Sequence, residues 1–337
     1  MRILAIGDNH FRVDNIHMIS RFIRALIQKT KEVKPDLIVL LGDILHDHER
    51  VHTTAMNKAY ELIRGLRDLA PLYIIVGNHD MINHKQFLSD NHWMNALKEW
   101  RDVHISDKVL VKSNKLHKFI FCPYVAPGRF IEALVTLDES WEDATIIFAH
   151  QEFKGCKMGA LISEEGDEWS TENPFVVSGH IHSKQTPQDN IFYPGSSMQV
   201  AYGESEQNIV ALIDLIELED GASIDIEEIN LGLPIRKVVY LNTEEFRNYE
   251  LPDTEDEIKL SLSGTYEDFR SMKKTKKFID LINKGIKITF RHARHVDKDE
   301  NITCTDTKDF DEILRQLIEK ENDEDLHKAY ELLLEKK

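Results

Sequence analysis

The chain has 337 residues, 42% of them hydrophobic and 30% charged, and its net charge is −17 at pH 7. That length allows one large domain or two to three smaller ones with a real core, while the acidic balance argues against a protein that holds nucleic acid by a broad basic surface. No apolar run approaches the roughly 18 residues of a membrane span, and Cys122, Cys156 and Cys304 form no paired motif, so reduced thiols and a cytoplasmic setting are expected.

Arg2 to Gly7 reads as a first strand, too short for a signal peptide, and runs straight into Asp8-Asn9-His10. Ile16, Ile19, Phe22, Ile23, Leu26 and Ile27 recur at helical spacing, and Pro35 lies just past them. Asp36 to Leu41 is a continuous apolar run, the pattern of a strand buried on both faces, and ends in Gly42-Asp43-Ile44-Leu45-His46. A second helix with Met56, Tyr60 and Ile63 inward leads to Leu72 to Val76 and then Gly77-Asn78-His79-Asp80. The order β-α-β-α-β points to a parallel sheet with right-handed crossovers.

A helix is expected over Gln86 to Trp100, two or three short strands over Val103 to Val125, and a helix within Gly128 to Leu137. Thr145 to Ala149 is a buried strand ending at His150, and Phe175 to Ser178 another ending in Gly179-His180-Ile181-His182. Ile191-Phe192-Tyr193 leads into Pro194-Gly195-Ser196-Ser197. Ile209 to Leu218 and Ile224 to Ile229 read as antiparallel strands joined at Asp220-Gly221. Past Pro234 come a strand at Val238 to Leu241, an acidic loop at Glu250 to Glu257, and a strand-helix-strand unit: Ile258 to Leu262, Tyr266 to Ile282 and Ile286 to Phe290. From Asp309, two short amphipathic helices carry Phe310, Ile313, Leu314, Leu317 and Ile318, then Leu326, Tyr330, Leu333 and Leu334.

Asp8, His10, Asp43, His46, Asn78, His79, His150, His180 and His182 all follow apolar runs, so a parallel sheet would gather them at one edge. Imidazole, carboxylate and amide donors together suit a first-row transition metal. So many ligands exceed one site; two metals bridged by a carboxylate fit, and such a pair activates water and clamps a phosphoryl group. The other histidines, His48 among them, read as solvated or structural. Lys273, Lys274, Lys276 and Lys277 form the densest basic run, either a solvated helix face or a phosphate contact.

Asp8-Asn9-His10, Gly42-Asp43, Gly77-Asn78-His79-Asp80, His150 and Gly179-His180-Ile181-His182 resemble the five motifs of the calcineurin-like metallophosphoesterases, over about the first 200 residues. Within that superfamily, His46 three residues after Asp43, His150-Gln151 and Tyr193-Pro194-Gly195-Ser196 are similar to the SbcD/Mre-eleven DNA-repair nucleases and their phage relatives. The resemblance implies an α/β, four-layer α/β/β/α sandwich over 1–233, a small α+β capping domain over 234–303 and a helical tail over 304–337. It implies two metals, usually manganese. Asp8, His10 and His182 would hold one; Asn78, His150 and His180 the other; Asp43 would bridge. His79 would act on the leaving oxygen, oriented by Asp80, and His46 would place the phosphodiester. The implied partners are DNA, a SbcC/Rad-fifty-like SMC-type ATPase docked on the tail, and a second copy of the chain. That ATPase would supply the basic groove this acidic chain lacks.

Three other readings share the core. Protein serine/threonine phosphatases continue the second motif with Asp-Arg-Gly, whereas here Ile44-Leu45-His46-Asp47-His48 follows and the arginine is absent. Small cyclic-nucleotide or lipid phosphodiesterases carry the motifs on a more compact chain. A non-catalytic DNA-end tether with a vestigial site would not need the complete ligand set.

Overall fold

The computed structural model describes residues 1–48, 50–218, 221–292, 318 and 330. Strand β1 (Arg2–Ile6) leads to helix α1 (Ile16–Val33), then β2 (Leu37–Leu40), α2 (Thr53–Arg67), β3 (Leu72–Ile75) and β4 (Val103–Ser106). α1 buries Ile19, Phe22, Ile23 and Leu26 and stops at Lys34, whose φ is 48°. α2 turns Ala55, Ala59, Leu62, Ile63 and Leu66 inward; Met56 and Tyr60, expected on that face, lie at its flanks, half-buried.

The chain then enters β5 (Leu110–Ser113), β6 (Lys118–Cys122), α3 (Phe130–Leu134) and β7 (Ile146–His150). A two-stranded hairpin, β8 (Lys157–Met158) and β9 (Leu161–Ile162), precedes β10 (Phe175–Gly179), β11 (Gln185–Gln188) and β12 (Ile191–Tyr193). β13 (Val210–Leu218) and β14 (Gly221–Ile229) pair antiparallel along their length. The turn expected at Asp220-Gly221 falls partly outside the described residues.

These strands form two six-stranded sheets, β14-β13-β1-β2-β3-β4 and β11-β12-β10-β7-β6-β5. β1 to β4 run parallel, as do β6, β7, β10 and β12; the antiparallel partners are added at the sides. Because side chains alternate along a strand, each strand serves two cores. Leu4, Ile6, Ile38, Leu40, Leu72 and Ile74 face α1 and α2. Ile3, Ala5, Leu37, Val39, Phe119, Phe121, Ile146 and Phe148 pack between the sheets. Ile120, Ile147 and Val176 face outward onto Phe130, Phe153 and Trp169. The layers are helix, sheet, sheet and a thin outer layer in which α3 is the one α-helix among the described residues.

Two expected helices differ. Over Gln86 to Trp100 there is only a 3-10 turn, Asn95–Glu99. Side chains there take main-chain donors a helix would need: Ser89 accepts from Asn91 and His92 from Met94. The Tyr266 to Ile282 helix is split into α5 (Tyr266–Met272) and α6 (Lys276–Asn283), because Thr275 caps the second by accepting from the Phe278 N–H.

β15 (Arg236–Asn242), β16 (Glu257–Gly264) and β17 (Lys287–His292) form a separate three-stranded sheet, with α4 (Thr243–Asn248) between the first two strands. It has its own core of Phe246, Ile258, Leu260, Leu262, Met272 and Leu281. Of the lysine run, Lys277 donates to the Arg247 carbonyl at 2.9 Å and Lys273 lies 4.6 Å from the Phe269 ring centre. The chain divides into two compact units, Met1–Arg291 and His292–Lys337. In the second unit Ile318 and Tyr330 are described, both helical, and Ile318 is buried; the rest of the expected tail helices, and Cys304, lie outside the described residues. No helix among the described residues is long and apolar enough to cross a membrane.

Candidate metal centre

The carboxyl ends of the parallel strands in both sheets open on one place. Asp8 and His10 follow β1, Asp43 and His46 follow β2, and Asn78 and His79 follow β3. His150 ends β7, and His180 and His182 follow β10. The loops are held in costly conformations. His10, Asp43 and His180 have φ of 46°, 50° and 79°, each in the left-handed region that side chains avoid. Main-chain bonds sustain them: His10 donates to the Asp43 carbonyl at 2.8 Å and Phe11 to that of Ile44 at 2.8 Å. Gly77 is required by close approach, since a Cβ there would run into the Asp43 carboxylate.

The expected ligands fall into two groups: Asp8, His10 and His182 bring their ligand atoms together, and so do Asp43, His150 and His180; a third group shares His10, with His46 and His79. His10 Nε2 and His182 Nε2 are 2.9 Å apart. Asn78 Oδ1 joins the second group, 3.0 Å from His150 Nε2 and 2.9 Å from His180 Nδ1. Asp43 Oδ2 faces both, at 3.6 Å from His10 Nε2 and 3.3 Å from His150 Nε2. Asp8, His10, Asp43 and His150 are all at most 1% exposed.

Outer partners aim these groups. His150 Nδ1 donates to the Leu41 carbonyl at 2.6 Å, which fixes the ring and turns Nε2 toward the centre. His182 Nδ1 lies 3.4 Å from Glu204 Oε1. Asp8 accepts from the His180 main-chain N–H at 3.0 Å, and Asp43 Oδ1 accepts from that of His79 at 2.8 Å. Burial opposes charge on Asp43 and His150, but their mutual attraction outweighs it, so the carboxyl is held low and the imidazole high. Burial drives His10 the other way, well below the ordinary histidine range.

What converges inward is a set of ligand-type atoms: two carboxylates, one amide oxygen and several ring nitrogens. That donor set fits divalent cations, and its mixture of N and O fits a transition metal. All seven residues expected as ligands are brought together.

The three residues expected to act on the substrate differ in their surroundings. His79 Nδ1 bonds the His46 carbonyl at 2.6 Å, so that carbonyl, not Asp80, orients the ring. The Asp80 carboxylate points inward instead, accepting from Trp93 Nε1 at 2.9 Å, Gly77 N at 3.2 Å and Leu45 N at 3.4 Å. The expectation that Asp80 orients His79 directly is corrected. Asp80 clamps the two loops carrying Asp43 and Asn78, and burial followed by the Asp43 charge pushes its carboxyl up to about 7. His46 Nδ1 lies 3.3 Å from His10 Nδ1, and its ring stacks on His79 with centroids 5.2 Å apart. His48, read from sequence as solvated or structural, also stacks on His79, at 4.5 Å and 19°.

The sequence model described as calcineurin-like phosphoesterase matches residues 1–184. The chain is 48% identical over 278 residues to "Putative phosphoesterase 244L" of Invertebrate iridescent virus 6, covering 82% of this chain and 98% of that protein. It is 40% identical over 329 residues to "Putative phosphoesterase 078R" of Invertebrate iridescent virus 3, covering 96% and 94%. Among solved structures, the purple acid phosphatase PPD1 of yellow lupin aligns at 12% identity and a TM-score of 0.43, over 68% of this chain and 51% of that one.

Proposed function

The chain belongs to the calcineurin-like phosphoesterases, and from that premise we propose that it is a manganese-dependent DNA nuclease, the catalytic subunit of a SbcCD-like repair or recombination complex. The observation that carries this reading is His46: three residues after Asp43, it abuts His10 and holds His79 through its carbonyl. The phosphate-clamping arginine of the protein phosphatases is absent from that stretch.

Asp8, His10 and His182 would hold one ion, Asn78, His150 and His180 the other, with Asp43 between. Such ions supply Lewis acidity toward the phosphoryl oxygens and a water activated for in-line attack. The chain's own groups do the rest. With Nδ1 fixed on the His46 carbonyl, His79 presents Nε2 to the cleft. In its protonated form it donates from Nε2 to the leaving oxygen as the P–O bond breaks. His46, beside it, contacts the phosphodiester, and Asp80 keeps both loops in register. A substrate panel tests the reading. With manganese, DNA oligonucleotides should be hydrolysed, and phosphoserine peptides and cyclic nucleotides should react poorly; a preference for the peptides would favour a phosphatase.

The partner is an SMC-type ATPase, with two copies of this chain in the assembly. Its support is the charge of −17, which repels a phosphate backbone and works against steering; a basic partner removes that difficulty. Short helices draw most of their stability from packing, so the apolar stripe that the sequence pattern spaces over Phe310, Ile313, Leu314 and Leu317 would suit a partner's apolar surface, with Ile318 already buried within the chain. Deleting residues 309–337 should leave hydrolysis of a small phosphodiester intact and abolish co-purification with the ATPase and ATP-stimulated DNA cleavage. Undiminished ATPase binding by the truncated chain would place the contact elsewhere.

A further inference from the structure

The β8–β9 hairpin stands beside the metal centre and has no part in it. Lys157, Met158 and Gly159 line a cavity of about 460 Å³ together with Asn78, His79, His180 and His182. A phosphate fills a small part of that volume, which is in the range of sites for ligands the size of a nucleotide. The hairpin is apolar where it should be polar: Met158, Leu161 and Ile162 are 43%, 74% and 61% exposed. Met158 and Leu161 are cross-strand partners and therefore share one face.

Two-residue strands are not stable alone, and the hairpin is held by contacts to the site. The Lys157 main-chain N–H donates to Gln185 Oε1 at 2.7 Å, and Gln185 Nε2 donates back to the Lys157 carbonyl at 2.9 Å. Gln185 lies three residues after His182 and also donates to the Ser183 carbonyl at 3.2 Å. Gly159, with φ of 66°, makes the tight turn. The hairpin is thus tied to the loop that carries a candidate metal ligand, with Met158 lining the cavity and Leu161 beside it on the same face.

We propose that this hairpin is the base-side wall of the substrate subsite, with Met158 and Leu161 packing against the nucleobase next to the scissile phosphate. The hairpin offers one cation, Lys157, beside the apolar Met158, while the rest of the lining outside the metal centre is polar, with Ser183, Glu204 and Ser205; the hairpin's part suits a ligand that is anionic at one end and flat and apolar at the other. A nucleotide unit has that make-up. The inference rests on the phosphodiesterase reading of the site and adds what the site recognises beyond the phosphate.

The test compares two chromogenic esters with the same leaving group. One is the p-nitrophenyl ester of thymidine monophosphate, in its 5′ and 3′ forms; the other is methyl p-nitrophenyl phosphate, which has no base. The unaltered enzyme should prefer a thymidylate ester. Met158→Ser with Leu161→Ser should cut kcat/KM for it by about tenfold to hundredfold, the range of lost apolar pocket contacts, and leave the methyl ester within about twofold. The methyl ester also reports that the variant is folded and metal-loaded. Gln185→Ala, which releases the hairpin, should give a smaller loss of the same selectivity. Equal losses on both esters, or no preference for thymidylate in the unaltered enzyme, would overturn the proposal. An enzyme that prefers thymidylate esters but leaves DNA intact would retain the subsite and sink the nuclease reading instead.

Discussion

Replacing His79 with alanine is expected to lower kcat and kcat/KM for DNA together, on the order of 10²–10⁴-fold, the usual range for a general acid or base. The loss should be confined to chemistry. The contact His79 makes with Asp43 runs through its main-chain N–H, which alanine keeps, so the Asp43 carboxylate stays in place and metal content should match the unaltered protein. The side chain acts separately, with its Nδ1 fixed by the His46 carbonyl and its ring against His46 and His48. Single-turnover cleavage with parallel metal analysis separates the two. Near-normal turnover in His79→Ala would assign the proton transfer to another group.

Asp43→Ala should be more damaging, because one carboxylate serves several neighbours. Its Oδ2 faces His10 and His150 from the two ligand groups, and its Oδ1 holds the His79 loop. Without it, metal content should fall below two ions per chain. Loss of several kcal/mol of charge stabilisation corresponds to a rate lower by on the order of a thousandfold or more. Asp43→Asn keeps an acceptor for the His79 N–H but removes the charge. It should fold like the parent and still lose metal and activity, which distinguishes loss of the ion from collapse of the loop. Full metal occupancy in Asp43→Asn would show that the carboxylate does not bridge.

The convergence of the candidate ligands was legible because most of them stand where an apolar run ends. A strand buried on both faces announces its end when the first polar residue appears, and Asp8, Asp43, Asn78, His150 and His180 all stand at or just past such ends. Sheet membership was less legible from the residues themselves. Leu37–Leu40 and Ile146–His150 are equally apolar, yet they lie in different sheets; a run's pattern records burial, not its long-range partner.

The loops carried the surprises. The partners of Asp80 and the stack of His48 on His79 depend on backbone turns at Gly42 and Asp43, with φ of 102° and 50°, which no periodicity encodes. The expected Gln86 to Trp100 helix failed because Ser89 and His92 side chains captured main-chain donors within it. The hairpin at 157–162 escaped notice because two-residue strands are too short to show alternation.

Two divalent ions should occupy the edge shared by the two sheets, and anomalous scattering from crystals grown with manganese tests this most directly. Two peaks per chain are expected, roughly 3.5–4 Å apart as in other two-metal sites. One should be bounded by Asp8, His10 and His182, the other by Asn78, His150 and His180, with the Asp43 carboxylate between them. A single peak, or none with Asp43 intact, would contradict two-metal catalysis at this edge.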